Sequence, residues 1–333
     1  MAGRAFVPAL SLTRQRDLRT EDVLPAEVET MLKYFAAAQA LRLASSGSAT
    51  KKLYRRIGNV LGGRRRGRGL PAHYIQRAHD NLARIEARGG IADGMTMMEL
   101  GTGWAHWEAL FTRLFYDVDV ILFDVWDNRQ FDGFQAYARE LRQRLRRDVD
   151  RPAAAIDRAE ALLDAVLTAP DFDAVYRLLN FRYMVEADGS LAAIPDGSLD
   201  LIVSSDVLEH VSAAAVPGLI AEMRRILKPG GIIAHRIVPF DHLKIYDRSA
   251  HDKQYLQFSE EKWNAWFAND VQYQNRIQHS EWLALVEAGG FAIETADMLM
   301  GQPVDGMTIS PRFAHLPATD WAAINSYIVA RAP

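Results

Sequence analysis

The 333-residue chain contains no cysteine. This absence excludes disulfides, cysteine-ligated zinc and thiol nucleophiles, although it leaves the redox compartment open. Long apolar runs are also missing, because no stretch reaches the roughly 18 residues that are needed to cross a bilayer. The short apolar start is broken by Pro8 and followed by Arg14, Arg16 and Arg19, which is not the order of a secretory signal. We therefore expect a cytoplasmic protein without a transmembrane segment.

Positive charge is scarce in the body of the chain and concentrated at its start. Residues 1–90 hold 17 Lys and Arg against 7 Asp and Glu, a balance of +10, whereas the remainder holds 22 against 35, a balance of −13. Helical patterns run over residues 25–43 and from 71 to about 88. The asymmetry predicts a basic N-terminal helical extension or lid, residues 1–90, attached to an acidic body, residues 91–333.

From residue 91 onward, short apolar runs alternate with helical patterns. Such alternation is typical of an α/β protein whose parallel sheet is covered by helices on both faces. We expect a Rossmann-like, mostly parallel sheet of seven strands, with a helical insertion at about 129–180 and a substrate-side insertion at about 240–280. The predicted strands are residues 95–100, 118–123, 183–185, 199–203, 232–237, 291–298 and 323–330.

A glycine turn, Glu99-Leu-Gly-Thr-Gly-Trp104, stands at the end of the first predicted strand, where a helix begins. Glycines there let the backbone bend sharply and approach a ligand, and the helix N-terminus offers free N–H groups to a carboxylate or phosphate. Asp124 ends the next strand, where a carboxylate accepts hydrogen bonds from ribose hydroxyls in dinucleotide-binding folds. On its own, a Gly-x-Gly turn fits equally well with a connection that binds nothing.

Two further segments follow in order, one from Ile194 to Val211 that contains Val-Leu-Glu-His-Val, and Met223-Arg-Arg-Ile-Leu-Lys-Pro-Gly-Gly231. In this combination, over about residues 95–298, the chain resembles the class I S-adenosylmethionine-dependent methyltransferases of the small-molecule or glycan type. The resemblance implies methyl transfer with S-adenosylmethionine as the cofactor. The cofactor-binding residues that it implies are Glu99, Gly101, Gly103, Trp104, Asp124, Val125, Ala187, Asp188, Gly189, Ser205 and Asp206.

The resemblance also gives these residues places along the cofactor. It implies that the glycine turn holds the methionine part, that Asp124 holds the ribose, and that residues 187–189 lie along adenine. Ser205 and Asp206 would lie beside both cofactor and substrate. Ala105 stands where the family often has a third glycine.

A narrower resemblance begins at His235-Arg-Ile-Val-Pro-Phe-Asp-His242. This segment is similar to one in a bacterial subgroup that is linked to surface polysaccharide and other glycan pathways, although Val238 replaces the first acid of that pattern. The resemblance implies a small-molecule or glycan acceptor and a place in polysaccharide biosynthesis, and we expect methylation at oxygen.

Removing the proton of an acceptor hydroxyl calls for a base, and histidine suits this task near neutral pH. The candidates are His242, His235 and His210. We rank His242 first because it follows Asp241 in a loop at the carboxyl edge of the sheet, where ligands bind in this architecture. The predicted catalytic set is therefore His242, Asp241 and His235. The alternatives are a cap or packing role for His210, a core position for His235, and a structural or substrate-contact role for His242.

We expect no metal. Asp206, Asp241, His235 and His242 could together hold a cation, but no close ligand spacing connects them. Aromatic side chains could wall an acceptor pocket or pack in the core, which is their commoner fate. Of these, Trp104 and Trp126 are favoured as contacts because they directly follow the cofactor motifs.

A strongly basic segment, residues 51–69, holds Lys51, Lys52, Arg55, Arg56, Arg64, Arg65, Arg66 and Arg68 without any acid. It could contact nucleic-acid phosphates, an anionic membrane surface or the phosphates of a carrier-linked substrate, or it could be a solvated linker. Two alternatives to small-molecule or glycan methylation therefore stay open. One is an RNA or nucleic-acid methyltransferase that uses this arm, and the other is a cofactor-binding protein without transfer activity.

Overall fold

The computed structural model describes residues 26–47, 49, 50, 53 and 69–333, with side chains from residue 31 onward. The predicted contacts of the basic segment 51–69 therefore lie outside the described residues, except at positions 53 and 69. Within the described part of the chain, no helix combines the length and the apolar character that a membrane span requires.

A seven-stranded sheet organises the molecule, in the order β3-β2-β1-β4-β5-β7-β6. Strand β7 runs antiparallel to both of its neighbours, and the remaining neighbours pair in parallel. This arrangement confirms the predicted Rossmann-like, mostly parallel α/β fold. The strands are β1 Thr96–Leu100, β2 Asp119–Asp124, β3 Phe181–Val185, β4 Leu199–Ser205, β5 Leu227–Ile237, β6 Ala292–Met300 and β7 Ala323–Arg331.

The strand order reverses between β1 and β4, which creates a crevice at the carboxyl ends of the strands where ligands bind in open α/β sheets. The register places Leu100 of β1 beside Phe123 of β2. The residues that follow these two, Gly101 and Asp124, therefore emerge at the same point of the sheet edge.

Helices cover both faces of the sheet, and three of them fill the predicted insertion after β2. In the described part of the chain they are α1 Ala26–Ala44, α2 Ala72–Glu86, α3 Trp107–Phe115, α4 Phe131–Asp148, α5 Ala153–Thr168, α6 Phe172–Leu179, α7 Val216–Ile226, α8 Glu260–Trp266, α9 His279–Ala288, α10 Pro311–Ala314 and α11 Ala318–Ala322. Short 3₁₀ turns at Leu208–His210, His242–Ile245 and Gln254–Gln257 carry several of the residues discussed below.

Alternation along the strands divides the apolar side chains between two cores. Met97 and Leu122 face the core shared with α2 to α6, whereas Met98 and Ile121 face the core shared with α7 and α9. A third cluster joins Tyr34 of α1 to the segment predicted as a substrate-side insertion, including Leu243, Tyr255 and Trp263. Helix α2 shares the first core with the sheet. The division into two parts at residue 90 stays a prediction.

Candidate active site

The turn after β1 depends on two glycines. Gly101 and Gly103 have positive φ angles of 71° and 58°, a region that side chains with a Cβ rarely adopt. A Cβ added to Gly101 would lie only 2.5 Å from Cγ2 of Val207, which follows β4 and packs against the turn. The glycine at 101 is therefore required both by backbone conformation and by close packing.

Asp124 is bound directly to this turn. Its carboxylate accepts hydrogen bonds from the N–H of Gly103 at 2.9 Å and from the N–H of Val125 at 2.8 Å. Burial raises the pKa of Asp124, and these backbone donors oppose the rise. The backbone N–H group of Trp126 also acts on this carboxylate. An ionised carboxylate has about four lone-pair sites, so capacity remains for a further donor such as a ribose hydroxyl.

Glu99 lies behind the turn and supports it. Its carboxylate accepts hydrogen bonds from the Thr102 hydroxyl and from the backbone N–H groups of Glu108 and Ala109, so it caps the start of α3. Burial, together with the nearby charge of Glu108, raises the pKa of Glu99 to about 8. Direct contact between Glu99 and the cofactor stays a prediction.

A cavity of about 800 Å³ opens beside the turn, within the size range of small-molecule sites. Gly101, Asp124 and Val125 line one side of it. The predicted adenine segment contributes Asp188 and Gly189, whereas Ala187 is exposed and is not among the lining residues. The opposite wall comes from the segment after β4 and the start of α7, namely Val207, His210, Val211, Ser212, Ala215, Gly218, Leu219 and Glu222.

Trp104 and the residues ending β4 do not line this cavity. The indole ring of Trp104 packs edge-on against Tyr137, with ring centroids 4.8 Å apart. Ser205 donates a hydrogen bond to Glu108, and Asp206 forms ion pairs with Arg77 and Arg236. The structure thus directs Ser205 toward α3 and Asp206 toward α2 and β5, and their predicted contact with the cofactor stays a prediction.

Two members of the predicted catalytic set, His235 and Asp241, are buried and hydrogen-bonded to other protein groups. His235, on β5, has Nδ1 within 2.8 Å of the Ser204 hydroxyl, and burial lowers its pKa to about 4. The fully buried carboxylate of Asp241 accepts hydrogen bonds from the Tyr34 hydroxyl and the backbone N–H groups of residues 243 and 255. Burial raises the pKa of Asp241 to about 6. None of these bonds joins Asp241 to the ring of His242.

His242 instead pairs with His210, whose ring centroid lies 4.9 Å away. Nδ1 of His210 lies 2.7 Å from the backbone oxygen of Tyr273. Because a carbonyl only accepts, Nδ1 carries the proton and Nε2 keeps its lone pair. Burial lowers the pKa of both rings, that of His242 to about 3, and the charge of His210 adds to the effect on His242.

The sequence offers His210 as a third candidate base, with a cap or packing role as the alternative, and the structure places it among the residues that line the cavity. The Glu209-His210 pair within Val-Leu-Glu-His-Val was the available signal. No sequence signal pointed to His106. It is fully buried, and its ring is hydrogen-bonded to the Thr102 hydroxyl of the turn and to the Tyr176 hydroxyl of α6.

The geometry matches what a comparison with known families finds. A family model described as a methyltransferase domain matches residues 71–296, more than half of the chain. The chain belongs to this methyltransferase family. It is a class I, S-adenosylmethionine-dependent enzyme, as the sequence resemblance implies, and its cofactor is S-adenosylmethionine.

Solved structures similar to the methyltransferase are distant in sequence. A candidate sarcosine dimethylglycine methyltransferase from Galdieria sulphuraria is 14% identical, with a TM-score of 0.45 and coverage of 78% of this chain and 86% of that one. Phosphoethanolamine N-methyltransferase 2 of Haemonchus contortus, bound to S-adenosylmethionine, is 15% identical, with a TM-score of 0.42 and coverage of 76% and 52%. Geranyl diphosphate methyltransferase, also with the cofactor, is 12% identical, with a TM-score of 0.42 and coverage of 77% and 85%. A search of curated proteins finds no match.

The cavity of the methyltransferase fits an adenosyl ligand on its own geometry. Gly101 is one of the lining residues and, without a side chain, presents only backbone to the cavity. Asp124 retains acceptor capacity beside Val125 at the cavity wall. These residues would hold the adenosyl and methionine parts of S-adenosylmethionine.

Proposed function

We propose that the methyltransferase transfers a methyl group to an oxygen of a small-molecule or glycan acceptor, and that it does so in the cytoplasm. One observation carries the choice of oxygen. The same cavity that Gly101 and Asp124 line is also lined by His210, whose ring nitrogen Nε2 keeps a lone pair. A group able to accept the proton of a hydroxyl therefore belongs to the wall of the cavity in which we place methyl transfer.

S-adenosylmethionine, when bound, supplies a methyl group made electrophilic by its sulfonium. Gly101 and Asp124 would hold the cofactor in the cavity, where bond formation between the acceptor oxygen and the methyl carbon would accompany cleavage of the carbon–sulfur bond, with the electron pair left on sulfur. The hydroxyl proton leaves oxygen for a lone pair on the protein or for water. The chain contributes alignment of the reacting atoms, which can supply several kcal/mol of barrier lowering.

His210 is held ready for this task by its surroundings. The hydrogen bond to Tyr273 fixes the tautomer and the orientation of the imidazole. Two chemistries can use the remaining lone pair, namely direct acceptance of the hydroxyl proton and coordination of a cation that makes the hydroxyl more acidic.

The experiment is an assay with methyl-labelled S-adenosylmethionine against three acceptor classes, hydroxyl-bearing sugars and sugar nucleotides, small amines, and RNA. We expect label in an O-methyl group, located by NMR of the product. His210→Ala is expected to lower kcat by roughly 10²- to 10⁴-fold with little change in cofactor affinity. His315→Ala, at an exposed histidine outside the cavity, is the matched control and keeps full activity. Label found only in N-methyl or C-methyl products contradicts the proposal.

The eight basic residues of segment 51–69 support a second candidate, methylation of RNA. In that case RNA is the labelled acceptor, and its binding weakens steeply with salt. Deletion of residues 51–69 then abolishes RNA binding while S-adenosylmethionine still binds.

A further inference from the structure

Three potential ligands for a metal ion meet beside the cavity. Glu209, His210 and His242 each offer one ligand atom, and these atoms lie within 4.8 Å of one another. Glu209 and His210 belong to the 3₁₀ turn that follows β4, and His242 begins the turn that follows β5. Since β4 and β5 are parallel neighbours, their carboxyl ends bring the three side chains to one place.

The buried polar atoms of this cluster have unsatisfied hydrogen-bonding capacity. Glu209 is 1% exposed, and neither of its carboxylate oxygens has a hydrogen-bond partner among the described residues. Burial raises the pKa of Glu209 to about 8, and the backbone N–H groups of Glu209 and Val238 oppose this rise without forming a hydrogen bond of ordinary geometry. Nδ1 of His242 is likewise buried without a partner in the described part of the chain. A buried carboxylate without a partner is costly, so its retention points to a missing positive partner.

A supporting layer of hydrogen bonds holds the cluster in place. Tyr273 accepts from Nδ1 of His210 through its backbone oxygen. The side chain of Gln274 binds the backbone on either side of residue 241, at Phe240 and His242. Asn275 donates to the backbone oxygens of residues 208 and 211, on both sides of Glu209. Metal-binding histidines commonly donate their second ring N–H to a carbonyl in this way, which leaves the other nitrogen for the metal.

We propose that Glu209, His210 and His242 bind a divalent transition-metal cation of the zinc class. Two imidazoles and one carboxylate suit such a cation, whereas magnesium and calcium prefer oxygen ligands alone. Three protein ligands leave a coordination position open, which is the arrangement of catalytic rather than structural sites. Of the four residues weighed for a cation from the sequence, only His242 belongs to this cluster.

This inference rests on the proposed function and specifies how the acceptor is bound. His210 lines the cofactor cavity, so the open coordination position would face the acceptor. A hydroxyl bound there becomes more acidic and releases its proton to water, and its oxygen is then free to form the bond to the methyl carbon. The lone pair of His210 is in this case used by the cation and not by the hydroxyl proton.

The test is metal binding by the full chain, after chelator treatment and dialysis. Calorimetry with Zn²⁺ and visible absorption with Co²⁺ are expected to show one site per chain. Glu209→Gln, His210→Ala and His242→Ala are each expected to weaken binding by roughly 100-fold or more, because each removes a ligand and even outer-shell changes cost 10- to 100-fold. His315→Ala is the control for adventitious binding at an exposed histidine and leaves the affinity unchanged. Circular dichroism and thermal melts establish that each variant is folded.

Two results overturn the cation site. One is the absence of Zn²⁺ and Co²⁺ binding by the wild-type chain, and the other is unchanged binding in those of the three variants that fold. O-methylation at full rate in chelator-treated protein also refutes it, while the proposed function survives. Conversely, one-site binding that depends on these residues, with no O-methylated product, refutes the proposed function and leaves the cation site standing.

Discussion

Gly101 and Gly103 share a left-handed backbone but differ in their surroundings. A Cβ at position 101 meets Val207 at 2.5 Å, whereas a Cβ at position 103 meets nothing within 4 Å. A side chain at position 103 therefore costs only backbone strain, whereas a side chain at position 101 costs backbone strain and also a clash with Val207.

We predict that Gly101→Ala destabilises the fold more than Gly103→Ala. An alanine in the left-handed region costs about 1–2 kcal/mol at either position, and position 101 adds the displacement of Val207. Urea unfolding of the two variants measures the difference. Equal losses of unfolding free energy would show that Val207 yields without cost and that packing does not fix the turn.

Side-chain direction is the part of the site that the sequence could not predict. The turn and Asp124 could be located because strand ends and glycines leave a local pattern, and the register of β1 and β2 brings them together. Asp206 was expected beside the cofactor, yet it adopts a left-handed φ of 61° and pairs with Arg77, which lies 129 positions away. Such a pair leaves no local signal, and neither does the meeting of Glu209 with His242.

The helix α1 is attached to residues 241–268 by polar contacts at several points. Its Tyr34 hydroxyl donates to Asp241 at 2.6 Å, and its Gln39 and Arg42 side chains donate to backbone oxygens of residues 264, 266 and 268. Local periodicity predicted the helix at residues 25–43, close to the observed Ala26–Ala44, but not the segment on which it docks. Docking depends on residues more than 200 positions away, which is beyond the range of any periodic pattern.

We predict that Tyr34→Phe lowers the unfolding free energy by roughly 1–3 kcal/mol, because it removes a donor from a buried carboxylate. Leu43→Ala, at a side chain that is 71% exposed on the same helix, is the matched control, with an expected change within about 0.5 kcal/mol. Chemical denaturation of both variants measures the two values. Comparable losses in the two variants would mean that the bond to Asp241 does not hold α1 in place.

The stability of the whole protein is expected to depend on pH through Glu99. Its pKa of about 8 in the folded chain lies above the ordinary value of 4.5, so the folded state binds a proton that the unfolded state has released. The resulting stabilisation is complete below about pH 4.5 and is lost as pH rises through 8.

We predict that wild-type protein loses more unfolding free energy between pH 4.5 and 8 than Glu99→Gln does. A difference above about 1.4 kcal/mol corresponds to a shift of more than one pKa unit. Denaturant unfolding across this range measures the difference, with Glu287→Gln on the exposed face of α9 as the control that follows the wild type. Parallel curves for Glu99→Gln and wild type would show that Glu99 is already ionised at pH 4.5.

The account as a whole depends on S-adenosylmethionine binding in the cavity that Gly101 and Asp124 line. Isothermal titration of the cofactor into wild-type protein and Asp124→Ala tests this most directly. Charge-assisted hydrogen bonds contribute about 1.5–3 kcal/mol each, so we predict one-site binding to wild type and an affinity that is roughly 10- to 100-fold weaker in the variant. Unchanged affinity in a folded Asp124→Ala protein would contradict the account.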